Sequence, residues 1–148
     1  MTIFPGQNLI ATDNPDFSQW LSYPPTWTSS GTAPVLGNGV LLGTYIVAGK
    51  ICFLRIILRG GSTTTQGTGN QSISIPLAAQ TGYEQDLMLK VWNTTNNYVG
   101  YFFIDTGASS GSLNAPTGTT SVCSAMTNTT TNVGTGGNCQ IQGYYVLP

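Results

Sequence analysis

The chain has 148 residues, 40% of them hydrophobic but only 6% charged, with a formal net charge of −1 and no histidine. A typical soluble domain is roughly 25% charged, so solubility here falls to Thr, Ser, Asn, Gln and Gly. The four cations, Lys50, Arg55, Arg59 and Lys90, form no basic cluster able to meet phosphates, which argues against a nucleic-acid partner.

The length suits one domain with a real core and an appendage. A surface so poor in charge packs against other protein cheaply, because few ions must be stripped of water. No apolar run approaches the length of about 18 residues that a membrane helix needs, and no N-terminal stretch reads as a signal peptide. The expectation is synthesis in a cytoplasm and no membrane partner.

Residues 1–25 stand apart. Pro5, Pro15, Pro24 and Pro25 break both helix and central strand, so this stretch is expected as an extended arm, with at most a helical turn near Asp16–Leu21. It carries apolar anchors, Ile3, Phe4, Leu9, Ile10, Phe17 and Trp20, that a disordered tail would lack. Fixing such an arm costs roughly 1–2 kcal/mol per residue in backbone entropy. Those six residues are therefore the expected partner-binding set, either attaching the protein to a larger body or strapping one subunit to the next.

Residues 26–148 read as short strands joined by Gly, Ser, Thr and Asn. The dominant stretch is Val35–Thr65. Its two apolar runs, Val40–Val47 and Lys50–Leu58, flank Ala48-Gly49 and predict an antiparallel hairpin. Leu41, Tyr45 and Val47 face one side, and Val40, Leu42 and Ile46 face the other. Strands apolar on both faces are covered on both, so one face is expected to be core and the other a partner subunit. Further strands are predicted at Ser72–Ile75, Asp86–Trp92, Tyr98–Asp105, Ser121–Met126 and Cys139–Leu147. Leu87, Leu89 and Val91 form the apolar side of the second of these. Thr106–Gly118 and Thr127–Gly137 read as loops. No stretch shows a capped helical period. The expected fold is all-β, an antiparallel β-sandwich or jelly-roll-like domain with an extended N-terminal arm.

Three cysteines leave an odd count. Cys52 lies mid-strand and reads as a buried apolar side chain. Cys123 and Cys139 enclose about 15 residues, and a disulfide there would contribute on the order of 3 kcal/mol. A reducing site of synthesis makes free thiols the default, with the Cys123–Cys139 disulfide as the alternative. The sequons at Asn70, Asn93 and Asn128 read as polar loop residues in a chain without a secretory signal.

Chemistry finds little purchase. Without histidine, Ser-His and Cys-His nucleophiles and most zinc sites are excluded in their usual form. Glu84 with Asp86, and Asp13 with Asp16, are near pairs that read as solvated acids. Gly43-Thr-Tyr-Ile-Val-Ala-Gly49-Lys50 is one residue too long for a phosphate loop, and Ile51 stands where Ser or Thr should hold magnesium. Phe103-Ile-Asp105-Thr-Gly107-Ala108 matches the strand-then-Asp-Thr-Gly signature of retropepsin-type proteases, whose paired aspartates share a proton. The chain after it is too short for that family's remaining elements and lacks the downstream apolar-apolar-Gly segment. A strand ending in an Asp-Gly turn accounts for the motif. No enzyme activity, cofactor or metal site is expected.

Pro25-Thr-Trp27-Thr, Gly37-Asn-Gly39, Gly43-Thr-Tyr45, Phe53, Gly61-Ser-Thr-Thr-Thr65, Gly67-Thr-Gly69, Ile75-Pro76 and Gly143-Tyr144 together resemble a β-rich module of tailed-bacteriophage virion surfaces. That module occurs in tail-fibre tips and in capsid decoration proteins, and the resemblance covers roughly residues 24–148. It implies a jelly-roll-like trimer on the virion, assembled in the host cytoplasm. The start at Met1 and the absence of shaft segments favour a decoration (cement) protein that binds and stabilises the head shell, with the major capsid protein as partner. The alternatives are a tail-fibre or receptor-binding component contacting tail proteins or a host surface glycan, and a carbohydrate-binding module. In a carbohydrate-binding role, Trp92, Tyr98 or Tyr144 would stack on sugars.

Overall fold

The computed structural model describes residues 19–93, 97–116, 123–127 and 133–148. Ile3, Phe4, Leu9, Ile10 and Phe17 lie outside them. The described residues contain ten strands and no helix: β1 (Leu21–Tyr23), β2 (Trp27–Ser29), β3 (Val40–Ala48), β4 (Ile51–Arg59), β5 (Gln71–Ser74), β6 (Gln85–Trp92), β7 (Asn97–Ile104), β8 (Ser110–Pro116), β9 (Cys123–Ala125) and β10 (Asn138–Val146). Every pairing is antiparallel. All strands belong to one sheet, in the order β1-β3-β4-β10-β6-β7-β8-β5-β2, with β9 added on β8.

The sheet curls into a half-barrel because its two faces differ. Alternate residues of β4 (Cys52, Leu54, Ile56, Leu58), β6 (Leu87, Leu89, Val91), β7 (Phe102, Ile104) and β10 (Cys139, Ile141, Tyr145) are buried in one apolar cluster. Their neighbours face outward. With no second layer among the described residues to cover a flat sheet, the concave side wraps around its own side chains. At about 25 cal/mol per Å² of apolar area, this shared burial is the main force holding the curl.

Both edges of the curl meet one segment. β1 pairs with β3, Leu21 opposite Tyr45 and Tyr23 opposite Gly43. β2 pairs with β5 at the far edge, Trp27 opposite Ile73. Only Pro24, Pro25 and Thr26 separate the two short strands. The prolines lack the N–H a ladder requires, so pairing with β3 stops and the chain crosses to the other edge. There Thr26 O accepts from Ser74 N at 3.0 Å, Thr26 N donates to Ser74 Oγ at 2.8 Å, and the Tyr23 hydroxyl donates to Ser74 O at 3.2 Å. Gly43 permits the crossing, since a Cβ there would lie 2.3 Å from the Tyr23 ring and 2.7 Å from Pro25 Cγ.

Two expectations are corrected. Leu21–Tyr23, placed in the arm by its prolines, is a strand of the sheet. Ser110–Pro116, read as loop, is strand β8, hydrogen-bonded to β7 and β5. Its Gly, Ser, Asn and Pro residues are turn formers. The site nevertheless requires a small residue, because a Cβ on Gly111 would lie 2.5 Å from the Phe102 ring. The hairpin forms with its turn at Gly49-Lys50, Ala48 pairing with Ile51.

Candidate interaction face

The outward positions of β3, β4, β10 and β6 form cross-strand rows fixed by register. Ile46 lies opposite Phe53, and Phe53 opposite Tyr144. The next row runs Thr44, Arg55, Gln142, Met88 and Tyr101. The one after runs Leu42, Ile57, Gln140, Lys90 and Val99. Extending the β1–β3 register by one places Trp20 beside Ile46, on the outer side.

This face is unusually apolar for one open to solvent. Leu42 is 60% exposed, Tyr144 61%, Trp20 49%, Met88 46% and Phe53 37%. A typical monomer's largest apolar patch is roughly 300–600 Å² and is often functional. Trp20, Phe53, Arg55, Met88, Gln142 and Tyr144 line a shallow groove of about 360 Å³. The Phe53 and Tyr144 rings are 6.0 Å apart and tilted by 54°, within the range of favourable aromatic pairs. Arg55 forms no ion pair with any described residue, and Gln142 Oε1 accepts from Gln140 Nε2 at 3.2 Å. Aromatic residues, Met and Arg are the types that protein interfaces favour.

The molecule also has two distinct ends. At the lower end, the C-terminal segment is tied down beside the β3–β4 turn. Leu147 N donates to Lys50 O at 2.8 Å, and Gln80 N to Val146 O at 2.9 Å. The Tyr145 hydroxyl donates to Leu77 O at 2.9 Å, and Leu77 and Tyr83 are open to solvent there. At the upper end a cavity of about 480 Å³ lies among the loops carrying Thr32, Val35, Thr65, Thr68 and Thr135. It presents hydroxyls and backbone, with no ionisable side chain among the described residues that line it.

Among the sugar-stacking candidates, only Tyr144 is exposed. Trp92 is covered by Lys90, whose Nζ lies 5.5 Å from the ring centre, and Tyr98 packs against the core. Of the arm anchors, only Trp20 lies among the described residues, and register brings it to the groove. Sequence alone does not join Trp20 to Phe53, Met88 and Tyr144, because cross-strand register appears in no local pattern.

Cys52, Cys123 and Cys139 carry free thiols, so no disulfide joins Cys123 to Cys139. Strands β6, β7 and β8 stand between β10, which holds Cys139 in the core, and β9, which holds Cys123. Burial pushes the Cys139 thiol up to about 12, partly opposed by a hydrogen bond with the Leu58 backbone. Burial also raises Cys52, against a hydrogen bond with Tyr145. Thiols so shifted stay protonated and are poor nucleophiles. Asp105 is exposed, its Oδ1 accepting from Thr106 N at 2.7 Å, and Ala108 N donates to Asp105 O at 3.1 Å. Among the described residues, no three His, Cys, Asp or Glu side chains are grouped to hold a metal ion. No described helix is long and apolar enough to cross a membrane.

No family model matches the chain, and no curated protein or solved structure matches it either.

Proposed function

We propose that this protein is a structural component of a tailed-bacteriophage virion surface. In this reading it is a trimeric decoration protein that binds the major capsid protein and stabilises the head shell. The observation carrying the reading is the apolar, charge-poor outer face of β3, β4, β10 and β6, which suits contact with other protein more than with water. The finer reading of the fold goes with this role: the curled sheet is taken as a jelly-roll-like sandwich.

The test is localisation on intact particles by electron microscopy, paired with light scattering of the purified chain. The reading expects density on the head at sites of threefold symmetry, and a solution mass about three times the 15.6 kDa chain. Density on the tail would favour the alternative, a tail-fibre or receptor-binding component that recognises the host surface or its glycans. A 15.6 kDa species at every concentration would remove the trimer.

A further inference from the structure

We infer that the groove lined by Trp20, Phe53, Arg55, Met88, Gln142 and Tyr144 receives residues 1–18 of a neighbouring copy, so that the copies are joined by exchanged N-terminal segments. The inference does not depend on the virion reading.

Three observations select this occupant. The first is composition: an apolar floor under a guanidinium with no ion pair among the described residues calls for a ligand with apolar side chains and a carboxylate. Segment 1–18 offers Ile3, Phe4, Leu9, Ile10 and Phe17 together with Asp13 and Asp16, and no Lys or Arg.

The second is charge over the whole face. Its outward ionisable residues on β4 and β6 are Arg55, Arg59 and Lys90 against Asp86 alone, two residues from Met88 on β6. The face is therefore net positive, and the segment's side chains are net negative. Such complementarity steers and orients association.

The third is where the described chain begins. Gln19 and Trp20 enter at the groove's rim, antiparallel to β3. In the β1–β3 register, each step back from Leu21 opposite Tyr45 moves along β3 toward its Ala48 end, away from the row of Arg55 and Met88. To reach its own groove the segment would have to reverse at once beside Trp20. Continuing outward costs no such turn, and 18 residues span up to about 60 Å when extended. That is about twice the length of a nine-residue strand, at roughly 3.3 Å per residue, and ample to reach an adjacent copy.

The experiment uses full-length chains in a Cys123→Ser background, which removes the partly exposed native thiol. One preparation carries Phe17→Cys and a second, distinguishable in mass, carries Met88→Cys. Mixed and mildly oxidised, they should yield a disulfide-linked species containing one chain of each kind. In parallel, Arg55→Asp should weaken self-association by about tenfold, and adding Asp16→Arg should restore most of it, as expected for a directly interacting pair. Circular dichroism checks that each variant keeps its strands.

The inference is overturned if the mixed cross-link does not form. It is equally overturned if Phe17→Cys and Met88→Cys placed in one chain close internally at nanomolar concentration, which would make the occupant the chain's own segment. An unchanged association of Arg55→Asp also refutes it, as does a groove that binds oligosaccharide while copies fail to cross-link. Particle localisation is a separate measurement, so failure of the two readings is distinguishable.

Discussion

If one short segment closes the half-barrel by pairing with both edges, the cost of disturbing its crossing point should be calculable. Gly43→Ala adds a methyl 2.3 Å from the Tyr23 ring and 2.7 Å from Pro25. The ring must move, which costs about 1–3 kcal/mol as overpacking. Moving it breaks the Tyr23 hydroxyl bond to Ser74 O, worth roughly 0.5–1.5 kcal/mol. It also disturbs the edge-on Tyr23–Tyr45 pair, at 5.9 Å between centres, for another ~0.5–1.5 kcal/mol. Against this, alanine stiffens the unfolded chain and returns about 0.4–1 kcal/mol. The net expectation is a loss of about 1–5 kcal/mol. Tyr23→Ala removes the ring clash and both contacts and leaves only the close approach to Pro25, so Gly43→Ala should then cost at least about 1 kcal/mol less, a coupling above the ~0.5 kcal/mol scatter of independent sites. Urea denaturation of the four proteins, followed by tryptophan fluorescence, measures the cycle. If Gly43→Ala costs the same with and without the Tyr23 ring, the crossing does not depend on this contact.

Three further expectations follow from buried groups and turns. The Cys139 thiol, raised by burial from 9.0 to about 12, holds its proton longer when folded, so its contribution is complete below pH 9 and is lost as pH rises toward 12. Tyr23 and Tyr145, also raised by burial, act in the same direction. The denaturation midpoint should fall over that range and fall less steeply for Cys139→Ala, and a flat profile would contradict the burial. Tyr145→Phe strips Leu77 O of its donor, so calorimetry should show a loss of about 1–3 kcal/mol. Asp105→Asn keeps an oxygen for Thr106 N, so stability should change by no more than about 0.5 kcal/mol; peptidase activity in the parent that vanishes in this variant would show the residue does more than form a turn.

The parts legible in the sequence are those whose signal is local. The alternation Leu87, Leu89, Val91 announces its strand and its buried face together, and the paired apolar runs around Gly49 announce their hairpin. The strand at Ser110–Pro116 gives no such signal, because its residues are chosen by what lies above them: Gly111 is small for the Phe102 ring, a neighbour remote in sequence. Trp20 is a similar case. Read among prolines it belongs to an arm, and only the pairing of Leu21 with Tyr45 sets it beside Ile46 and Phe53. The groove is therefore a product of register across four strands, and no one of those strands announces it.

The position of β10 bears on how the chain can be made. It is the last of the ten strands to be synthesised, yet it sits in the middle of the sheet, between β4 and β6. Until it arrives, both of those strands present open edges with their hydrogen-bonding groups unpaired, the condition under which chains join to the wrong neighbour. Ile141 and Tyr145, both wholly buried, are also missing from the core until then. Assembly of the half-barrel is thus held back until β10 has been made, by the wiring of the sheet. A nascent chain stalled before Asn138 would be two sheet fragments in search of the same missing strand.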